Sequence, residues 1–310
     1  MSIFNVIFPV FAIALGGYSV ARAGILSRSD ISGLSRFVFV IAFPILLFFS
    51  IATMELPENV DWAFLAAYYL VVLFIYGSGM MINKYVFSGT DKDQVTFGLG
   101  SCFSNLILVG LPIISSGLGE QAVLPLLMIV SVQDLILFPL TTFIVEHRSN
   151  QDGKSGMEVF IKGFGDLARN PIILSLLLGL VLNLLKIPLP EFLYRPMEIF
   201  SKAALPSALF LLGASLNEYR ISGQLKESSV MVALKMVLQP LLVWVFAFHV
   251  FKLDPLWAST AVMAAGMPIG INSFLFARSY TENTKALSTA ILLSCLFAIF
   301  SQSLLLALFG

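Results

Sequence analysis

The chain is short of charge. Asp, Glu, Lys and Arg together make up 12% of its 310 residues, against about 25% in an ordinary soluble domain. Its formal net charge is +0, and the charges lie between apolar runs, so nothing points to nucleic acid. There are 2 histidines and 2 cysteines. Cys102 and Cys295 both fall within apolar runs, which argues against a disulfide or a metal site. No HExxH or CxxC string occurs, so a metal enzyme is not expected. No glycine-rich phosphate loop is present, so the chain is not expected to hydrolyse ATP. The string Gly163-Phe164-Gly165-Asp166 matches the GxGD of intramembrane aspartic proteases. It lies in a polar stretch, however, and no second intramembrane Tyr-Asp pair accompanies it. Alternation of apolar and polar residues is also missing, which excludes a transmembrane β-barrel. The first apolar run has no basic leader and no small-residue cleavage signal, so it is expected to stay as a first helix.

Apolar residues make up 58% of the chain. A membrane span needs about 20 of them in sequence. Ten segments qualify: residues 3–22, 33–53, 62–83, 95–117, 121–146, 170–186, 199–216, 229–250, 255–279 and 286–308. The expected fold is therefore an all-α polytopic membrane protein. Lys and Arg distribute unevenly among the connections. Arg22, Arg28, Arg36, Lys84, Lys92, Arg148, Lys154, Lys162, Arg169, Arg220, Lys226, Arg278 and Lys285 fall on one side. Only Lys186, Arg195, Lys202 and Lys252 fall on the other. By the positive-inside rule the first group is cytoplasmic and both termini lie outside, which in a bacterium is the periplasm.

The polar stretch 147–169 separates residues 1–146 from residues 170–310, five segments on each side. Five is odd, so the second group enters the membrane inverted. FPILLFFSIATM from Phe43 resembles LPSALFLLGASL from Leu205, and each places a proline early, Pro44 and Pro206. The fourth segment of each group also carries a glycine–proline interruption. One is Gly110-Leu111-Pro112; the other is Gly266-Met267-Pro268-Ile269-Gly270. Proline removes a backbone donor and crowds the preceding turn, while glycine tolerates non-helical dihedrals. Breaks at membrane depth survive only where they are buried in protein or line a cavity. Matched breaks in two halves point to a carrier's substrate site. The plainer alternative is a pair of proline kinks used for packing.

Pro112 and Pro268 suit the first turn of a second half-helix. The free N–H groups of such starts favour an anion. Ser101, Ser104 and Asn105 precede the first break, and Asn272 and Ser273 follow the second. Their offsets differ, so the expected site is asymmetric. The amides either contact a ligand or satisfy freed backbone groups. Gln133-Asp134 sits halfway along the fifth segment, and an intramembrane acid is a functional candidate by default. Its alternative is a structural hydrogen bond. Lys235 lies four residues before Gln239-Pro240. It either pairs with Asp134, attracts an anion, or snorkels to the surface. Asn183 is expected to be a helix-end residue. Gly16, Gly17, Gly98 and Gly100 are expected to permit close helix packing.

SNLILVGLPI from Ser104, SKAALPSALFLLGASL from Ser201, LKMVLQP from Leu234 and AAGMPIGINSFLFARSY from Ala264 together resemble the auxin efflux carrier family. That family includes plant auxin carriers and bacterial malate and malonate permeases, and the resemblance covers essentially the whole chain. It implies ten helices in two inverted five-helix repeats, with helices 4 and 9 broken and crossed. It further implies elevator-type transport of small organic anions across the inner membrane, driven by protons, sodium or the membrane potential. The family motifs fall on Asn105, Gly110 and Pro112; on Pro268 and the small residues around it, including Gly270; and on Lys235 and Pro240. The plant signature of asparagine–proline–asparagine and the long central loop are absent, which argues against auxin as natural substrate.

The expected substrate site is therefore Asn105, Gly110, Pro112, Lys235, Pro268, Gly270, Asn272 and Ser273. Asp134, with Gln133 and Gln239, is the ion-coupling group. No cofactor is expected beyond a coupling ion, H+ or Na+. The expected partners are the anion and membrane lipid, and a homodimer is compatible with the chain. The alternatives are a sodium-coupled carrier of the bile acid symporter type, using oxygens of Asn105, Asp134 and Gln239, and a membrane receptor or channel.

Overall fold

The computed structural model describes residues 3–54, 62–149, 171–217, 224–278, 281 and 284–310. Among them every regular element is helical, and the one β-bridge is isolated. In chain order the helices are α1 (Ile3–Arg22), α2 (Arg28–Thr53), α3 (Trp62–Val86), α4 (Asp91–Cys102), α5 (Leu106–Leu118) and α6 (Val123–Ser149), followed by α7 (Pro171–Leu184), α8 (Glu191–Leu216), α9 (Leu225–Val250), α10 (Pro255–Ala265), α11 (Ile271–Arg278) and α12 (Lys285–Phe309). Among the described residues seven helices are long and apolar enough to cross a membrane. The expected fourth and ninth spans are each divided in two, as α4/α5 and α10/α11. The linker expected at 147–169 lies, beyond Ser149, outside the described residues, as does Gly163-Phe164-Gly165-Asp166.

The seventh span is longer than expected. It begins at Glu191 rather than near 199, and its charged first turns carry pairs four residues apart. Lys202 Nζ lies 2.6 Å from Glu198 Oε1, and Arg195 lies 4.0 Å from Glu191.

Three helices share a device that the sequence does not advertise. The backbone widens to a π-turn at 38–42, 106–110 and 234–238, each just ahead of Phe43-Pro44, Leu111-Pro112 or Gln239-Pro240. Phe43, Leu111 and Gln239 each donate an N–H to the carbonyl five residues back. A proline inside an α-helix clashes with the carbonyl four residues before it. The extra residue in the turn moves that carbonyl aside, so the helix passes through its proline unbroken.

The chain divides into two compact units, each discontinuous in sequence. The described parts of 8–60 and 164–218 make one; those of 1–7, 61–163 and 219–310 make the other. In the first, α1 meets α8 backbone to backbone. A Cβ on Gly213 would fall on the Ala14 carbonyl, and one on Gly17 would fall on the Phe210 carbonyl. Gly16, expected to do the same, has nothing within 4 Å of its Cβ direction. Asn183, near the end of α7, caps α2: its Nδ2 donates to the carbonyls of Ile51 and Met54 at 2.7 Å each.

This contrast makes a prediction. Gly213→Ala should lower stability by about 1–3 kcal/mol, because a backbone carbonyl cannot rotate out of the way. Gly16→Ala should be neutral or stabilising by up to about 1 kcal/mol, since alanine is the better helix former. Thermal unfolding of the two purified variants checks both.

Candidate functional site

All eleven expected site residues lie in the second unit, around the two breaks. The first break spans residues 103–105, between α4 and α5. Phe103 (φ −77°, ψ 114°) and Asn105 (φ −83°, ψ 71°) leave the helical region there. The second spans 266–270, between α10 and α11. The two extended segments pair antiparallel through Ser104 and Ile269. Asn105 N donates to Pro268 O at 2.8 Å, and Gly270 N donates to Phe103 O at 3.0 Å.

The remaining backbone groups at the crossing find side chains. Ser104 N donates to Gln133 Oε1 at 3.2 Å, and Gln133 Nε2 donates to Ser104 O at 3.0 Å. Ile269 N donates to Ser294 Oγ at 3.0 Å. Gln302 Nε2 donates to Gly266 O at 2.6 Å, and the Lys235 ammonium donates to Ala265 O. Pro268 has no N–H to satisfy. Unwound backbone in a span is tolerable on this condition, that protein replaces the water that lipid cannot supply. Gly270 is needed for the close approach: a Cβ there would lie 2.7 Å from the Phe103 ring and 3.1 Å from Ser104 O. Phe103, Phe138 and Phe276 stack beside it, with ring centroids 5.2 and 4.5 Å apart.

The geometry corrects several expectations. The first half-helix does not restart at Pro112. It restarts at Leu106, because the π-turn at 106–110 absorbs the proline and leaves the segment helical through Leu118. Gly110 packs against Met267, and Pro112 is buried further along α5. The second restarts at Ile271, not at Pro268, which belongs to the crossing itself. Asn105 therefore stands at the cap position of α5, and Asn272, half-buried, at the second position of α11. Ser273 is buried and donates to Gly270 O at 2.6 Å. Gln133 is a backbone clamp, with both amide atoms engaged by Ser104. Lys235 neither snorkels nor pairs with Asp134. It is fully buried, and its ammonium is held by the carbonyl that ends α10. Asp134 is half-buried on α6.

Four polar atoms near the breaks have no partner. Asn105 Nδ2 is one, in a residue 6% exposed; both amide atoms of Gln239, one turn beyond Lys235, and Gln302 Oε1 are the others. Buried polar groups in native proteins are nearly always satisfied, so such orphans mark where something else binds. Among the described residues no group of three His, Cys, Asp or Glu is placed to hold a metal ion. The sequence reading missed Ser294, Gln302 and Tyr68, whose hydroxyl lies 3.2 Å from Ser104 Oγ. The signal for Gln302 was present: a glutamine within the largely apolar final span.

Comparison with known proteins bears on this arrangement. Residues 2–306 match the family described as membrane transport protein. A "Putative malonate transporter" of Rhizobium meliloti (strain 1021) is 24% identical over 299 residues, covering 95% of this chain and 92% of the relative. "Auxin efflux carrier component 8" of Arabidopsis thaliana is 23% identical over 341 residues, covering 93% and 92%. An "Uncharacterized transporter" of Methanothermobacter thermautotrophicus is 23% identical over 309 residues, covering 96% and 95%.

Proposed function

Because the chain belongs to the membrane transport protein family, which is one of transporters and not of enzymes, we propose that it is a secondary carrier of small organic anions. The observation that carries this reading is the crossing of two broken helices. Two half-helices, α5 and α11, start beside it, an asparagine stands at each start, and the Asn105 amide donor has no partner. Unpaired N–H groups at helix starts favour an anion. The substrate carboxylate docks there, with Asn105 and Asn272 orienting it and Lys235 supplying positive charge. Malonate, which the first relative's name mentions, is a dicarboxylate, and a chemistry of this kind fits the site.

The ten apolar segments are taken as two inverted five-helix repeats in the inner membrane, with both termini outside. Supporting this are the interruptions at corresponding places in the two halves and the bias of Lys and Arg to one side. Access alternates in elevator fashion, the unit that holds the site moving as one body. Supporting this is the placement of every candidate residue in a single unit. Asp134 carries the coupling proton. Lys235 already places a fixed ammonium at the end of α10, which favours proton over sodium coupling.

Proteoliposome uptake of radiolabelled malonate and malate tests the proposal, with pH and sodium gradients imposed separately. Saturable uptake that follows the pH gradient and is indifferent to replacing sodium with choline is expected. Non-saturating flux would mark a channel instead. A further prediction concerns coupling. In Asp134→Asn the imposed pH gradient should no longer accelerate uptake, while downhill exchange of substrate persists. An unchanged pH response would remove Asp134 from the proton path.

A further inference from the structure

Away from the crossing, the same unit contains a cavity of about 200 Å³ where α3 ends and α4, α9 and α12 begin. Its wall is built, not incidental. The connection after α3 turns back with Ser88 in the left-handed region (φ 52°). It is tied down by Gly89 N donating to Asn83 O at 3.2 Å and by Gln94 Nε2 donating to Gly89 O at 2.9 Å. Ser228 Oγ joins the starts of α9 and α12 through the Gln224 and Ala286 carbonyls, at 2.8 Å each.

Among the described residues the lining is rich in oxygen. Asn83 is 6% exposed, and its Oδ1, on the wall beside Gly89, has no hydrogen-bond partner. Gln224 Oε1 is likewise buried without one. Both are carbonyl oxygens, which accept only. The carboxylates of Asp93 and Glu227 line the same cavity. Thr90 offers an N–H and a hydroxyl, but Asp93 Oδ2 already takes both, at 3.1 and 2.7 Å. Four lysines lie at this end of the unit, Lys84, Lys92, Lys226 and Lys285. All are exposed and none lines the cavity.

Two electrostatic effects oppose each other here. The starts of α4, α9 and α12 carry partial positive charge, which favours an anion. That is about half an elementary charge per helix, and acids in the first turns offset it: Asp91 and Asp93 on α4, Glu227 on α9. The atoms left unsatisfied decide the matter. They are acceptors, so the missing partner is a donor or a cation. Oxygen-only ligation by amide carbonyls and carboxylates suits a hard divalent ion, and Mg2+ in particular keeps several of its waters. The cavity has room for the ion together with those waters.

We propose that this cavity binds a hydrated divalent cation through Asn83, Gln224 and Glu227, at a site separate from the substrate crossing. The test is Mn2+ titration of the purified full chain, followed by electron paramagnetic resonance with Mg2+ as competitor. Saturable binding of one Mn2+ per chain, displaced by Mg2+, is expected. Glu227→Gln should weaken it at least tenfold, while Glu198→Gln, which alters an exposed acid on α8, should leave it unchanged. Asn83→Asp adds a charged ligand and should tighten binding severalfold. It also serves as the deciding variant if Glu227→Gln does not fold. Absence of saturable Mn2+ binding means that the cavity holds water alone and overturns the proposal. Binding that is indifferent to both Glu227→Gln and Asn83→Asp overturns it equally. Neither result touches the carrier reading, which the uptake assay tests independently.

Discussion

Replacing Lys235 by methionine is expected to lower the kcat/KM for saturable carboxylate uptake about a hundredfold. A hydrogen bond to a charged group is worth about 1.5–3 kcal/mol, and each 1.4 kcal/mol is about a factor of ten. Lys235 is fully buried, and its ammonium stands on the Ala265 carbonyl, three residues from the Pro268 carbonyl that pairs with Asn105. If that charge attracts the substrate, losing it removes affinity with little loss of fold. Exchanging a buried charge for an apolar side chain of similar size is often neutral or stabilising. The carbonyl left behind costs about 1–3 kcal/mol. The two terms nearly cancel, so the unfolding midpoint should stay within about 5 °C of the parent. Uptake and melting, measured on one preparation, separate the readings. A large fall in melting temperature with proportionate loss of uptake would reduce Lys235 to a structural pin.

The second large effect is expected at Gln133, and it is the reverse. Both amide atoms of Gln133 are engaged by Ser104 N and O within the first break. Gln133→Leu keeps the volume and leaves a buried N–H and C=O without partners. Each orphan costs about 1–3 kcal/mol, so together about 2–6 kcal/mol are lost and the melting midpoint falls by about 5–10 °C. Gln133→Glu retains an acceptor for Ser104 N but sets a buried carboxylate oxygen against Ser104 O, so its midpoint should fall at least as far. The break holds Asn105 in place, so uptake should fall in the same order as stability. A Gln133→Leu variant that melts like the parent would mean that Ser104 is not held by Gln133 in the membrane.

The difference between these residues was not visible in the sequence. Gln133, Lys235 and Gln239 are all polar residues within apolar runs, and all were reasonable candidates for ligand or ion contact. Asn105 and Asn272 stood out as polar residues near the interruptions, and the structure puts Asn105 in the first break itself. The exact place of the first break did not stand out, because glycine and proline are local signals, and the chain answers Pro112 with a π-turn rather than a break. The residues that do leave the helix, Phe103 to Asn105, carry no breaking signal of their own. They unwind because Pro268, Gly270 and Gln133 supply partners for their backbone, and those lie 29 to 167 residues away in sequence.

By itself the sequence determined the class of this protein. Long apolar runs with few charges can only be stable as membrane helices, and two interrupted runs at matching places force unwound backbone into the interior. It also determined which polar groups flank the interruptions: amides, hydroxyls and one lysine within apolar runs. The tertiary structure alone decided where the helices part, which amides are spent on backbone and which remain open. The physical reason is that hydrocarbon offers no hydrogen bonds. Each unwound N–H and C=O must find a protein partner, and only the folded chain brings those partners within reach.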